Sequence, residues 1–351
     1  MNFDCLNVYN YEKEFLNNID ADKSLSHFDK IYPIICKEIK NMSEKHKILL
    51  AMDNSDQALN AARYIGLVMP LDQTHIDLFH VDVEEPEIFW DSKTNPGFEV
   101  PQISMWKAHH QKIIDIFMKQ AKEILIDAGF NDDAICIHVR PRHNGVTRDI
   151  IAESTKGYHA VVVGRNGNSK MKDLLMGSTA SRLIGKIDHL PLLIVGGVPV
   201  SKKILIAFDG SECAMEAVKK VCAIVNPLNT EIFLYHVIRS MELFSPENNI
   251  FNDPEFEKKW LQRGQSEIEP DLNKAYEYIL DAGFSKGNVH KEVGLGHMSR
   301  ADAIVEKAKL ERCDTIIVGR RGLSFVQEFF IGRVGQKVLH LADKMTVWVI
   351  N

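Results

Sequence analysis

The sequence has few cysteines, no long apolar run and no excess of positive charge. No apolar stretch reaches about 18 uninterrupted residues, so a transmembrane helix is not expected. The first residues show no basic segment followed by an apolar core, so a secretory signal is not expected either. Lys and Arg number 42 against 48 Asp and Glu, a formal charge of −6, which gives no indication of a general nucleic-acid binder.

Six cysteines are scattered through 351 residues, at positions 5, 36, 136, 213, 222 and 313. They form no CxxC pair, and we find no histidine near them at the usual spacing of a metal site. In so long a chain we interpret them as free thiols in a reducing cytoplasm. The composition, 45% hydrophobic and 26% charged, is that of a soluble globular protein, and the length predicts two domains.

The chain contains one pattern twice. Residues 47–55 (KILLAMDNS) match residues 203–211 (KILIAFDGS), which places Asp53 and Asp209 156 residues apart. Three further matches keep this offset within two residues: 78–81 with 234–237, 127–130 with 281–284, and 161–167 with 316–322. A shared offset at four landmarks indicates a duplication. We predict an extension over 1–45, helical in part, and two domains, 46–200 and 201–351, joined after the linker 196–199.

Within each copy, short β-branched runs alternate with longer segments whose apolar residues have helical spacing. The alternation predicts an α/β fold of two tandem Rossmann-like domains, each a five-stranded, mostly parallel open sheet with helices on both faces. Ser55 and Ser211 are placed to cap the first helix of each copy. Pro270 falls inside a predicted helix and is expected to kink or break it. Segments 85–101 and 240–254 are expected to be exposed loops.

A glycine-rich segment after the fourth strand of the first copy carries the candidate chemistry. Residues 164–167 (GRNG) are followed, nine residues later, by residues 177–179 (GST). Ligands of open α/β sheets bind at the carboxyl ends of strands, and glycine lets the backbone approach them closely. A helix start offers N–H groups to an anion, while Arg165, Lys170 and Lys172 add positive charge. The segment predicts a phosphate site, and a plain strand-to-helix turn is the alternative.

This Gly-x2-Gly-x9-Gly-Ser spacing, with an aspartate closing the first strand, resembles the ATP-binding signature of the universal stress protein family. The resemblance covers residues 46–351 as a tandem pair. It implies a regulatory protein of the stress response that binds ATP, ADP or AMP, with Mg²⁺ accompanying a triphosphate and no metal ligand assigned. The implied binding residues are Asp53 near the nucleoside, Val81 at the adenine, and Gly164, Arg165, Gly167, Gly177, Ser178 and Thr179 around the ribose and phosphates.

Alternatives remain for some of these residues. Asp53 and Asp209 can instead serve as local turn or capping residues. His80 and His236, which precede the predicted strand ends, are expected to be satisfied core residues rather than ligands. Residues 140–143 are expected to form a basic loop, although Arg140 and Arg142 follow the third strand and can face the same crevice.

The second copy departs from the signature at its last position. Its corresponding residues are Asp209, Val237, Gly319, Gly322, Gly332 and Arg333, so that Arg333 replaces the serine. A guanidinium at a helix start opposes the helix dipole and fills the space of a phosphate. We predict an intact nucleotide site in the first domain and a degenerate one in the second.

The resemblance also implies how the halves meet, because single-domain universal stress proteins pair through their last strands. We expect strands 192–195 and 346–349 to lie side by side about a pseudo-twofold axis, as an internal pseudo-dimer. A homodimer of the whole chain and an unidentified protein partner are left open, and neither a nucleic acid nor a membrane is expected as a partner.

Catalytic motifs for nucleotide chemistry are absent from the sequence. It contains no Walker GxxxxGK[ST] loop, no HxGH pair and no SGGxDS loop. No general base stands beside the expected terminal phosphate. The sequence predicts a cytoplasmic nucleotide-binding protein without efficient catalysis, and a slow ATP hydrolase and a nucleotide-free interaction scaffold are the alternatives.

Overall fold

The computed structural model contains one continuous sheet of ten strands. The structure describes residues 45–82, 100–167, 176–241, 254–320 and 331–351. The strands are β1 His46–Met52, β2 Thr74–Asp82, β3 Ile135–Pro141, β4 Ala160–Gly164, β5 Leu192–Val195, β6 Lys203–Ala207, β7 Glu231–Arg239, β8 Val289–His297, β9 Thr315–Gly319 and β10 Thr346–Ile350. Their order is β3-β2-β1-β4-β5-β10-β9-β6-β7-β8. Residues 46–351 form one compact unit. The predicted helix within 1–45 and most of the predicted loops 85–101 and 240–254 lie outside the described residues.

The halves join where the sequence predicts. All described strand pairs are parallel except β5 with β10, which pair antiparallel with Leu193 opposite Trp348. Each half therefore has the strand order 3-2-1-4-5 and presents its last strand to the other half. This pairing covers the edges that would otherwise be exposed and confirms the predicted contact between the last strands.

Helices cover both faces of the sheet. In the described part they are α1 Asp56–Val68, α2 Val100–Asp127, α3 Val146–Ser154, α4 Ser178–Ile184, α5 Glu212–Ile224, α6 Pro254–Asp281, α7 Arg300–Leu310 and α8 Arg333–Leu341. The hydroxyls of Ser55 and Ser211 accept hydrogen bonds from the N–H groups of Ala58 and Ala214, which confirms both predicted caps. None of the described helices is long and apolar enough to span a bilayer.

Strand side chains alternate between two apolar layers, one on each face. Leu50 and Leu78 belong to the layer beneath α1 and α2, whereas Leu49 and Phe79 belong to the opposite layer. Strands buried on both faces have nearly continuous apolar sequences, which is the pattern from which the fold was predicted.

Helix α6 is continuous across Pro270, so of the predicted kink or break the break does not occur. A proline removes one helical hydrogen bond and crowds the preceding turn. Ile268, Leu272, Ala275 and Ile279 are nevertheless buried on either side of it. Packing of both segments against the sheet holds them in one helix despite this local cost.

A buried polar network joins the two halves on the face of the sheet that α1 covers. The Tyr64 hydroxyl, on α1, accepts a hydrogen bond from Trp348 Nε1 at 2.8 Å and lies 2.9 Å from the Thr315 hydroxyl. Trp348 and Thr315 both belong to the second half. Burial raises the pKa of Tyr64 well above its ordinary value, so the hydroxyl stays protonated.

Tyr64→Phe is therefore expected to lower the free energy of unfolding by about 1–2 kcal/mol, because Trp348 Nε1 and the Thr315 hydroxyl lose a buried partner. Urea denaturation followed by fluorescence measures the change. Tyr278→Phe is the matched control, since Tyr278 is 38% exposed, and its effect should stay within about 0.5 kcal/mol. Equal effects of the two substitutions would contradict a structural role for the network.

Candidate functional site

The predicted site residues of the first half gather where the strand order reverses. Strand β1 pairs with β2 on one side and with β4 on the other. Asp53 follows the end of β1, and Gly164 is the last residue of β4. Crevices at such carboxyl ends are where open α/β sheets bind ligands.

Glycines 164 and 167 are required by close packing at this crevice, and Gly177 lies close to the backbone of the same segment. A Cβ atom at Gly164 would lie 2.8 Å from Cβ of Gln57, and one at Gly167 would collide with Oδ2 of Asp53. A Cβ atom at Gly177 would lie 3.1 Å from the Arg165 carbonyl oxygen, which already accepts a hydrogen bond from Gly177 N. The glycines thus bring the end of β4, Asp53 and the start of α4 together.

Asp53 has a local structural role as well as a place in the crevice. Its Oδ1 atom accepts hydrogen bonds from the Ser55 hydroxyl at 2.5 Å and the Ser55 N–H at 3.3 Å. Asp209 Oδ1 accepts from Ser211 N at 3.1 Å in the second half. The local turn role considered from sequence is thus observed for both aspartates. Asp53 is exposed, and its Oδ2 atom faces Gly167.

The other predicted binding residues of the first half that the structure describes lie at the start of α4 and the end of β2. Ser178 begins α4 and is exposed, and Thr179 is half-buried. Val81 is buried near the end of β2. Residues 168–175, with Lys170, Lys172 and Asp173, lie outside the described residues, as does Gly322 of the second half.

The histidines at the strand ends are structural, as predicted. His80 Nδ1 lies 2.8 Å from the Met52 carbonyl oxygen, and His236 Nδ1 lies 2.8 Å from that of Phe208. These bonds tie the second strand of each half to the end of its first strand.

A cavity of about 930 Å³ opens from Ser178 and Thr179 between α3 and α4. Its described lining contains four cationic side chains and no carboxylate; the cations are Arg142, Arg148, Arg182 and Lys186. We call this cavity the basic groove. Its charge suits a polyanion, and guanidinium groups match phosphate oxygens through paired N–H donors.

The corresponding place in the second half holds an ion pair. Asp302 and Lys337 occupy the positions of Arg148 and Arg182, at offsets of 154 and 155 residues. Lys337 Nζ lies 2.6 Å from Asp302 Oδ2 and 3.0 Å from the Ser299 hydroxyl. Two like charges in the first half are therefore replaced by an attractive pair that joins α7 to α8.

A second difference between the halves lies at the strand ends, where the second half has an additional arginine. Arg300 stands where the first half has Val146, and its Nε donates to the carbonyl oxygen of Val237 at 3.3 Å. Burial lowers the pKa of Arg300 and the charge of Arg239 lowers it further, while Asp209 opposes both. Val237 and Asp209, two members of the predicted degenerate site, are thus approached by the chain's own guanidinium. Gly332 and Arg333 form the cap and first residue of α8.

The backbone of Arg165 lies at the crevice, but its side chain points away, which corrects the assignment of its guanidinium around the phosphates. Its side chain is buried, and its guanidinium donates to the carbonyl oxygens of Leu339 at 2.7 Å and Ala342 at 2.9 Å. Arg320, next to Gly319, makes the reciprocal contacts with the carbonyls of Ile184 and Ile187. Each arginine therefore binds the carboxyl end of a helix in the other half, where carbonyl groups and the helix dipole favour a cation.

Sequence reasoning missed Arg148, Arg182, Lys186 and Arg300. The signal was present, because alignment of the two copies shows a charge reversal from Arg148 to Asp302. The glycine signature does not include these residues, because they lie on or next to the helices that flank it.

Comparisons with known proteins agree with the duplication. The profile of the Universal stress protein family matches residues 45–196 and again residues 201–351. A universal stress protein of Thermus aquaticus is 28% identical over 138 residues, which are 39% of this chain and 90% of that protein. Universal stress protein MJ0577 of Methanocaldococcus jannaschii is 29% identical over 154 residues, 41% of this chain and 91% of that protein.

A solved universal stress protein from Archaeoglobus fulgidus has the same fold across both copies. Its TM-score is 0.58 at 18% identity, with 87% of this chain and 98% of that chain covered. Two matches to one family profile, over nearly all residues after the extension, identify the repeat unit. The chain belongs to the universal stress protein family, with two copies of the family's domain in tandem.

Proposed function

We propose that this chain binds one adenine nucleotide, ATP in the first instance, in its first half and acts as a regulatory protein of the stress response. The observation that carries the proposal is the difference between the halves. The first half has a basic groove beginning at Ser178 and Thr179, whereas an ion pair and Arg300 occupy the equivalent region of the second. A cytoplasmic location and an unidentified protein partner belong to the same proposal.

The crevice offers a suitable group for each part of a nucleotide. Asp53 Oδ2 is an acceptor for a ribose hydroxyl or an adenine amine. Gly167 and Gly177 allow the backbone to approach the ligand, and Ser178 and Thr179, which carry hydroxyl groups, line the groove. Arg148 and Arg182 extend positive charge beyond them, along the path of a phosphate chain.

A triphosphate site also raises the question of Mg²⁺. Mg²⁺ keeps several waters and is commonly held by one or two carboxylates together with substrate phosphates. Among the described residues, no group of three metal-binding side chains lies at the groove. We expect the phosphates and water to hold most of the coordination sphere of the ion.

Binding without efficient turnover is the expected behaviour. Asp149 is the acidic residue of the first turn of α3, and its two oxygens accept hydrogen bonds from the backbone N–H groups of His143 and Asn144. It is thereby engaged in holding the turn rather than in activating water. A turnover of several per second, close to that of an ordinary enzyme, would favour the hydrolase alternative.

Mass spectrometry of the small molecules released on denaturation tests the proposal directly. We expect an adenine nucleotide in the supernatant of the purified, denatured chain. Titrations with ATP, ADP, AMP and cAMP, the last being the ligand of a solved universal stress protein, then rank the nucleotides. No released nucleotide and no binding of any of the four would leave the interaction scaffold as the better account.

Arg148→Asp should reproduce in the first half the ion pair of the second. The new carboxylate would face Arg182 and add negative charge to the groove, so we expect ATP to bind about tenfold more weakly. Isothermal titration calorimetry at moderate salt measures the change, which should shrink as salt screens the charges. Asp302→Ala, at the equivalent position, is the control and should leave the affinity unchanged. Unaltered ATP affinity in Arg148→Asp would mean that the groove does not receive the phosphates.

A further inference from the structure

A cluster of metal-binding side chains lies at the opposite ends of the strands from the crevice. His75 and Asp77 are near the start of β2, and Cys136 and His138 are near the start of β3. Side chains two residues apart on a strand point to the same face, and Asp77 lies directly opposite Cys136. The sheet thus gathers four potential ligands on one face. This arrangement corrects the expectation that no cysteine has a histidine at a useful spacing.

The donor atoms converge on one carboxylate oxygen. Nε2 of His75 lies 3.2 Å and Nε2 of His138 lies 3.4 Å from Oδ1 of Asp77. One nitrogen of His75, one oxygen of Asp77 and Sγ of Cys136 all lie within 4.8 Å of one another. With bonds of about 2.0–2.3 Å, the ligand atoms of a tetrahedral zinc lie roughly 3–4 Å apart. His75, Asp77 and Cys136 therefore need to close by about 1 Å or less to share an ion. His138 approaches Asp77 but lies outside this group of three, so its imidazole also has to move toward His75 and Cys136.

Asp77 is held as an ionised, oriented ligand. Its side chain is almost fully buried, and Lys47 Nζ and the Tyr158 hydroxyl bind Oδ2 at 2.9 and 2.6 Å. Such outer partners orient a ligand, and here they leave Oδ1 facing the two imidazoles.

An ion has access to the cluster, and a thiol is available to it. The side chains of His75 and His138 are 27% and 34% exposed, and Cys136 is a half-buried free thiol. A carboxylate and a thiolate together supply two negative charges, which exceed the single positive charge of Lys47.

The second half lacks the central carboxylate. Phe233 occupies the position of Asp77 and stacks on His290 with ring centroids 4.7 Å apart. Glu231, at the position of His75, pairs with His290 at 3.0 Å and with Lys203 at 2.9 Å. The described residues at this end of the second half therefore provide an internal control without a comparable ligand set.

We propose that His75, Asp77, Cys136 and His138 form a site for a single Zn²⁺ ion. Imidazole nitrogen, carboxylate oxygen and thiolate sulfur are each donor types that zinc accepts, and four of them suit its tetrahedral geometry. Binding forms a zinc–sulfur bond and releases the thiol proton to solvent. The zinc site requires no nucleotide, so a failure of the zinc proposal and a failure of the proposed function can be distinguished.

Zinc titration of the metal-stripped full chain against a chromophoric chelator tests the site. We expect one Zn²⁺ per chain, and Cys136→Ser and His138→Gln should each weaken binding more than about tenfold. Cys213→Ser and His290→Gln, both in the second half, are the controls and should leave zinc affinity unchanged. Circular dichroism checks that each variant is folded.

Co²⁺ substitution gives a second readout that needs only the wild-type chain. A thiolate-to-cobalt charge-transfer band with tetrahedral d–d bands is expected. No such band, no stoichiometric zinc binding, or zinc binding that Cys136→Ser leaves unaltered would overturn the site. The histidines would then be only hydrogen-bond partners of Asp77.

Discussion

Gly177→Asp is expected to weaken ATP binding by about 100-fold, whereas Gly332→Asp should change it by less than about threefold. The carboxylate at position 177 would lie beside Ser178 and Thr179, at the mouth of the basic groove, and repel the phosphates. A 100-fold loss corresponds to about 2.7 kcal/mol. At position 332 the same charge enters a half in which Lys337 and Asp302 pair at the equivalent place and no phosphate is expected to bind.

Both aspartate variants should fold, so a difference between their ATP affinities reports on the binding site and not on unfolding. Gly177 and Gly332 are helix N-caps with φ of −64° and −58°, values open to any residue. Aspartate is a favoured N-cap. A Cβ atom at Gly332 comes no closer than 3.7 Å to its nearest neighbour, and the 3.1 Å approach at Gly177 requires a small shift. Calorimetric titration of the two variants decides the matter, and equal losses of affinity would contradict the asymmetry between the halves.

Arg165→Met should lower the free energy of unfolding by about 3–5 kcal/mol with little change in ATP affinity. The substitution removes two hydrogen bonds from a buried charged group and leaves the carbonyls of Leu339 and Ala342 without these donors. Methionine fills much of the volume of the aliphatic stem, so a cavity is not the main cause of the loss. Denaturant unfolding and nucleotide titration below the unfolding transition provide the two readouts.

Arg182→Met is the control with the opposite pattern. Arg182 is exposed and lines the groove, so its replacement should weaken ATP binding and change stability by less than about 0.5 kcal/mol. If Arg165→Met were as stable as the wild type but lost its nucleotide, the assignment of Arg165 around the phosphates, made from sequence, would be restored.

The architecture followed from the sequence because duplication made each signal appear twice. The alternation of β-branched runs and helical spacing predicts the strands, and the family resemblance adds the contact of Leu193 with Trp348 across the two last strands. Helix α6 does not break at Pro270 because Ile268 and Leu272 are buried on either side of it. Such tertiary packing is not visible in the local sequence.

The contacts that individual side chains make could not be predicted from the sequence. Arg165 stands next to a glycine of the signature, yet its long side chain reaches the other half of the molecule. Cys136 and His138 were overlooked because the familiar zinc spacings come from turns and helices. A spacing of two becomes meaningful only when a neighbouring strand adds His75 and Asp77 on the same face.

The stoichiometry of ATP binding to the purified full chain, after removal of bound nucleotide, shows whether the first half alone binds ATP. Equilibrium dialysis over a range of ATP concentrations measures this stoichiometry without reference to heat or fluorescence. We expect one ATP per chain, with binding lost in Gly177→Asp and retained in Gly332→Asp. Two equivalent sites, or none, would overturn the proposed difference between the halves.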